Sequence, residues 1–239
     1  MLPENEIGRV LAVVAHPDDV DFAAAATVAR FTDRGAEVVY CVVTDGDAGG
    51  FERRTDGGGM AGLRRDEQRA AAEVVGVRDL RFLGYRDGVV EQTLDLRRDI
   101  ARVIRQVRPD LVITHSPERN YSFVAPSHPD HRAVGGAAVD AVYPDARNPY
   151  AFPGLLREEG LAAWTVREVW LDGHETPDHY VDVTGTFERK LAALRAHASQ
   201  TAHVEGFEES IREHFSRMAE RAGFGPGRYA EAFKRVVTV

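Results

Sequence analysis

The feature that most constrains this chain is an alternation across its first 143 residues. Short apolar runs, rich in valine, trade places with stretches whose apolar residues recur at helical spacing. The runs are RVLAVVA at 9–15, EVVYCVVT at 37–44, LRFLG at 80–84 and DLVITHS at 110–116. Between and after them, helices are expected over 20–35 (stopped at Gly35), 63–77 (stopped at Gly76), 94–109 and 129–143, the last with Pro129 in its first turn. Strands that are apolar throughout are buried on both faces, and β-α-β-α order makes their sheet parallel. The expected fold class is therefore α/β and Rossmann-like, a mostly parallel sheet with helices on both faces. The glycine-rich stretch 45–62 is too broken for a regular element and reads as a mobile loop.

The second half is less regular. Residues 144–164 contain three prolines and are expected to wrap the surface as a lid segment. Strands are expected at 166–173 and 179–184, and helices at 185–199 and 207–223. A chain of 239 residues is read as a single domain, with a core at 1–143 and the lid segment, extra strands and C-terminal helices at 144–239. The formal net charge of −8 argues against nucleic acid or an anionic membrane as a partner, because both favour a basic face. One cysteine, Cys41, cannot form an internal disulfide and points to a reducing compartment. No apolar run approaches the ~20 residues that span a bilayer, and the N-terminus lacks signal-peptide character, so a cytoplasmic protein is expected.

Ligands of open parallel sheets bind beyond the carboxyl ends of the strands. Here those ends carry His16-Pro17-Asp18-Asp19, Thr44-Asp45-Gly46, Tyr85-Arg86-Asp87 and His115. The first turn is HPDDVD rather than G-x-G-x-x-G, and no P-loop follows the second strand, so the site residues speak against a nucleotide. They speak for a metal. His16 and Asp19 lie three apart at a strand end, and SHPDHRAVG at 127–135 brings a second pair, His128 and His131, to the start of the fourth helix. Two histidines and one carboxylate form a common catalytic Zn²⁺ set, which also accepts Fe²⁺ or Co²⁺. Asp18 is then a spare carboxylate, free to act as a base. Taken alone, the aspartates could merely cap a helix, and the histidines could merely sit on a helix surface. It is the pair of motifs that favours a site.

These motifs resemble the LmbE-like (PIG-L) family of zinc-dependent de-N-acetylases. The resemblance runs through AHPDDVDF at 15–22, TDGDAG at 44–49, Arg64 and Glu67, LGYRDG at 83–88, PDLVITHSP at 109–117 and HPDHRAVG at 128–135. It continues through KLAALRAHASQ at 190–200 and YAEAFKRV at 229–236. It implies His16, Asp19 and His131 as zinc ligands and Asp18 as the general base. His128 is implied to stabilise the oxyanion or protonate the leaving amine, with Asp130 orienting it. Arg64, Asp45, Tyr85, Asp87 and His115 are candidate substrate contacts, although Arg64 could instead form an exposed pair with Glu67. Two departures stand out: Ala23–Ala26 replaces a glycine-rich stretch, and Asp21 replaces the more usual glutamate.

The expected activity is hydrolysis of the N-acetyl group of a small amino sugar or glycoconjugate, as in an N-acetylglucosaminide. A homo-oligomer stays open. The competing readings are a mycothiol-conjugate-type amidase cleaving a larger acyl group, a non-catalytic metal- or sugar-binding protein on the same fold, and a phosphodiester hydrolase. The last normally needs two metals.

Overall fold

The computed structural model describes residues 2–49 and 57–239. Five parallel strands build the centre: β1 (Arg9–Val14), β2 (Glu37–Thr44), β3 (Asp79–Tyr85), β4 (Leu111–His115) and β5 (Glu168–Asp172). Two antiparallel strands, β6 (His179–Asp182) and β7 (Ala230–Val237), extend one edge. The order is β3-β2-β1-β4-β5-β7-β6. Period-two burial splits β1 between two cores. Val10, Ala12 and Val14 pack under α1 (Asp19–Asp33), α2 (Gly57–Val74), α6 (Phe187–Ala196) and α8 (Phe207–Arg221). Leu11 and Val13 pack under α3 (Leu94–Val107), α4 (Pro129–Asp140) and α5 (Pro153–Arg157). The expected α/β class, with helices on both faces, is the one observed.

β1 lies between β2 and β4, so consecutive connections leave it in opposite directions. The crevice at that switch point opens beyond the carboxyl ends of β1 and β4. His16 follows the first of these strands and His115 ends the second.

Several expected boundaries move. Helix α2 begins at Gly57, so residues 57–62 of the expected loop are helical, and 50–56 lie outside the described residues. Helix α4 stops at Asp140 and continues into a wider turn over Ala141–Ala146. The helix expected over 185–199 breaks at His197, where α7 (Ala198–Thr201) begins. Strand β7 was not expected. Its sequence, AEAFKRVV, mixes in good helix formers, and pairing between β5 and β6 overrides that preference.

The segment 144–164 lies away from the crevice. Arg105, 1% exposed in the last turn of α3, donates to the carbonyls of Asp145, Ala146, Asn148 and Ala151. Trp164 donates its indole N–H to Pro109 O at 2.8 Å. Both anchors lie just before β4 begins, so the segment is fastened at the amino ends of the strands rather than over their carboxyl ends. No helix among the described residues is long and apolar enough to cross a membrane.

Candidate active site

The turn after β1 is built around Asp18. This residue caps α1 in the left-handed region, at φ 91° and ψ −27°. That conformation costs a non-glycine residue ~1–2 kcal/mol, so its surroundings must hold it. Its N–H donates to Gln68 Oε1 at 2.9 Å, and Arg64 reaches its carboxylate at 2.9 Å and Pro17 O at 2.5 Å. Arg64 is 4% exposed, so the exposed pair with Glu67 does not form. Glu67 instead accepts from the backbone and hydroxyl of Ser199 in α7. The guanidinium lies against Gly46, where a Cβ would come within 2.5 Å of it. That close approach accounts for one glycine of the TDGDAG stretch.

His16, Asp19 and His131 converge. His16 Nδ1 is 3.3 Å from Asp19 Oδ2 and 3.3 Å from His131 Nε2, and His131 Nε2 is 3.1 Å from Asp19 Oδ1. The outer nitrogens settle where the protons sit. His131 Nδ1 faces Pro126 O at 3.1 Å, which can only accept, so Nδ1 carries the hydrogen. His16 Nε2 faces Asp87 Oδ1 at 3.1 Å and Asp130 Oδ2 at 3.3 Å, so it too is a donor. In the neutral rings both inner nitrogens therefore present lone pairs to each other and to a carboxylate. Three such groups need a cation. Ligands ~2.0 Å from a tetrahedral ion stand ~3.3 Å apart, which is the spacing found. The donor set fits a Zn²⁺-like ion.

The protonation behaviour carries the same demand for positive charge. Burial opposes a charge on His16, but Asp19 and Asp87 outweigh it and push the ring up to about 11. Asp19 is held well below the carboxylate range; burial works against this, and His131, His16 and His115 prevail. Asp18 moves the other way. Burial and the neighbouring Asp19 raise it to about 6, with Arg64, His197 and His16 opposing.

His128 caps α4 and its Nδ1 accepts the Asp130 N–H at 3.2 Å. A neutral His128 thus carries its hydrogen on Nε2. Burial, His16 and His131 lower its pKa. Asp130 does not orient this ring through its carboxylate. Its Oδ2 faces His16 and accepts the Gly88 N–H at 2.7 Å, while Oδ1 accepts from Val90 N at 3.2 Å. Asp130 backs the other histidine because the 85–88 turn and α4 both close on the end of β1.

The candidate substrate contacts divide. Asp87 lies on the site, against His16. Asp45 is occupied by Arg65, which takes both carboxylate oxygens. Tyr85 is turned away and donates to Asp99 on α3 at 2.9 Å. His115 is 2% exposed, too buried to touch substrate. It stacks on His131 with centroids 4.2 Å apart and lies between Asp19 (3.2 Å) and Asp172 (3.3 Å). These carboxylates lift it to about 10 against the effect of burial. α4 reaches this strand end closely, since a Cβ on Gly135 would lie 2.2 Å from His115 O.

Asp172 and Gln68 are not singled out in the sequence, and the partners of α1 appear there only as part of two signature stretches. Two signals could have found the first two. Asp172 ends β5 in register with His115, and Gln68 lies one helical turn beyond Arg64. The partners of α1 lie in the two signature stretches, but nothing local says what they touch. Lys190 donates to Phe22 O and Glu231 Oε1, both at 2.7 Å, while Glu231 accepts from Ala26 N at 3.1 Å and Thr27 N at 2.7 Å. The pair thus takes backbone groups that an uninterrupted helix would pair with each other, and both residues are 0% exposed. The short side chains of Ala23–Ala26 leave this approach open. The signatures around Lys190 and Glu231 are accounted for by this contact.

Residues 11–142, more than half of the chain, match the PIG-L family, described as GlcNAc-PI de-N-acetylase. The chain is 32% identical over 201 residues to a diacetylchitobiose deacetylase of Thermococcus kodakarensis, covering 83% of this chain and 72% of that one. Among solved structures, N,N'-diacetylchitobiose deacetylase from Pyrococcus horikoshii superposes with a TM-score of 0.88 at 30% identity, covering 98% of this chain and 86% of that one. GalB from Pseudomonas putida, a 4-carboxy-2-hydroxymuconate hydratase, shares the fold at a TM-score of 0.80 and 21% identity, covering 98% of each chain. Fold and site define an α/β protein with a candidate metal site at the switch point of its sheet. The chain belongs to the PIG-L (LmbE-like) family of deacetylases.

Proposed function

We propose that this protein removes the acetyl group from a small N-acetylated amino sugar, an N-acetylglucosaminide, with His16, Asp19 and His131 holding one Zn²⁺. The observation that carries the reading is the convergence of three lone-pair groups beside a separate carboxylate, Asp18. The substrate class rests on the named activity of the relatives, and Fe²⁺ or Co²⁺ would suit the same donors. When bound, the ion supplies Lewis acidity that polarises the amide carbonyl and brings the pKa of water toward ~7.

The chain's own groups do the rest. Asp18 sits in a left-handed turn at the end of β1, and burial raises its carboxyl, the direction that suits taking a proton from the attacking water. Arg64 fixes the carboxylate from the opposite side. The Asp130 N–H keeps the hydrogen of neutral His128 on Nε2, where it can donate to the developing oxyanion. The proton that Asp18 takes from the water is the one it can hand to the departing amine. Asp87 and Asp130 hold His16 from behind through Nε2, which orients its inner nitrogen and makes the ring more basic toward a cation.

The test is metal content together with acetate release from N-acetylglucosaminides. Wild type should hold about one Zn²⁺ per chain, and His131→Ala should hold little. Asp18→Asn should keep the metal and lose ~10²–10⁴ in kcat. Near-normal turnover in Asp18→Asn would remove the base assignment. Absence of stoichiometric metal after loading would remove the mechanism.

A further inference from the structure

We infer that His197, at the break between α6 and α7, is a positioning residue for Asp18. It acts through Asp21 and Gln68. His197 Nε2 lies 2.8 Å from Asp21 Oδ2. The same oxygen accepts from Gln68 Nε2 at 2.8 Å, and Gln68 Oε1 accepts the Asp18 N–H at 2.9 Å. His197, Asp21 and Gln68 are each essentially unexposed.

Each link fixes the next. A carboxylate only accepts, so Asp21 compels the amide nitrogen of Gln68 to face it. The amide oxygen must then face Asp18, where it meets the one backbone N–H of a left-handed turn. Without His197, Asp21 would keep, among the described residues, only Gln68 as a side-chain donor, and its carboxylate could rotate. Rotation releases the amide, and a reversed amide would set hydrogens against the Asp18 N–H.

A core-filling role does not account for what is found. Asp21 Oδ1 and His197 Nδ1 are buried with no hydrogen-bond partner among the described residues, so an apolar pair would fill the space at less cost. The break between α6 and α7 falls on His197 itself, which aims the ring inward from the end of a helix. Glu67, one residue before Gln68, ties the same corner by bonding Ser199. Two bonds between α2 and α7 therefore hold the amide in register with the turn.

The proposal rests on Asp18 serving as the base, and its test reads the turn separately from the chemistry. His197→Leu and His197→Gln are compared with wild type, all zinc-loaded, for metal content, for hydrogen exchange of the Asp18 amide, and for kcat and KM on an N-acetylglucosaminide. His197→Leu should keep the metal, exchange the Asp18 amide about tenfold faster, and lose about tenfold to a hundredfold in kcat with little change in KM. His197→Gln offers a donor at the same reach and should recover both. Unchanged exchange and unchanged kcat in a folded His197→Leu would overturn the proposal. Equal losses in the Leu and Gln variants would do the same, since only packing would then matter. If His197→Leu does not fold, Gln68→Met breaks the next link and should show the same pattern; normal exchange and kcat there would also overturn it. A wild type inactive on these sugars would sink the substrate reading while leaving the exchange result to decide this one.

Discussion

Two buried polar clusters flank the first turns of α1, and they solve the burial of charge in opposite ways. On the crevice side, His16, Asp19 and His131 converge with no Lys or Arg paired to them among the described residues. On the far side, Lys190 and Glu231 neutralise each other and bond to backbone groups of α1. The chain has only two lysines among its 30 basic residues, and one of them is spent on this contact. An ammonium is compact enough to reach both Phe22 O and Glu231, where a planar guanidinium would not fit. A cluster complete in itself is a strut, and a cluster that calls for an outside charge is the candidate binding site. Burial alone does not separate the two; the inventory of donors does.

The comparison can be broken at the strut first. Lys190→Met should destabilise the fold by ~3–5 kcal/mol in urea titration, because it strands the Glu231 charge. Adding Glu231→Gln removes that charge and keeps an acceptor for Ala26 and Thr27, so the double variant should recover a large part of the loss. A double variant no better than the single would mean that the pair is not self-compensating.

The site should respond to an ion where the strut does not. Zinc at a hundredfold excess over its dissociation constant should stabilise the metal-free protein by ~2.7 kcal/mol, seen as a higher Tm that a chelator reverses. His131→Ala should lose this response, whereas a response of full size would place the ion elsewhere.

A third buried charge sharpens the contrast through pH. Burial would raise Glu168, but Arg235, the Leu2 N–H and Trp170 outweigh it and hold it below its ordinary 4.5. The unfolded chain therefore binds the proton more readily. The stability this group contributes is complete above about 4.5 and is lost as pH falls through the folded value. Glu168→Gln should flatten the acid limb of the stability curve, and an unchanged limb would assign that limb to other carboxylates. The smallest effect is expected at the rim, where Arg65 is paired with Asp45 but 38% exposed. Arg65→Ala should cost ~0–1 kcal/mol by the same urea titration, and a larger loss would show that the rim pair behaves like a buried one.

Much of this architecture was legible in the chain. The apolar runs that became β1, β2 and β4 needed no partner information, because strands buried on both faces advertise themselves in composition. The two histidine–aspartate motifs were legible for a related reason. Each lies next to a strand or helix end, so the topology that places the ends also places His16, Asp19 and His131. Strand β7 was hidden, because its residues suit a helix and only the gap between β5 and β6 makes them a strand. The segment 144–164 was legible as irregular but not in its location, which depends on Arg105 collecting carbonyls from a stretch 40 or more residues away.

By itself the sequence determined the class of fold, the edge of the sheet where chemistry would gather and the residue types able to hold a cation there. Those follow from periodicity and from motifs only a few residues long. Which carboxylate backs which histidine was decided only by the tertiary structure. Asp130 turned to His16 rather than His128, His115 and Tyr85 withdrew from the crevice, and Lys190, Glu231 and His197 came from the far end of the chain to brace α1. Hydrogen bonds and ion pairs act over about 3 Å, and in residues so far apart in sequence that proximity exists only once the chain has folded.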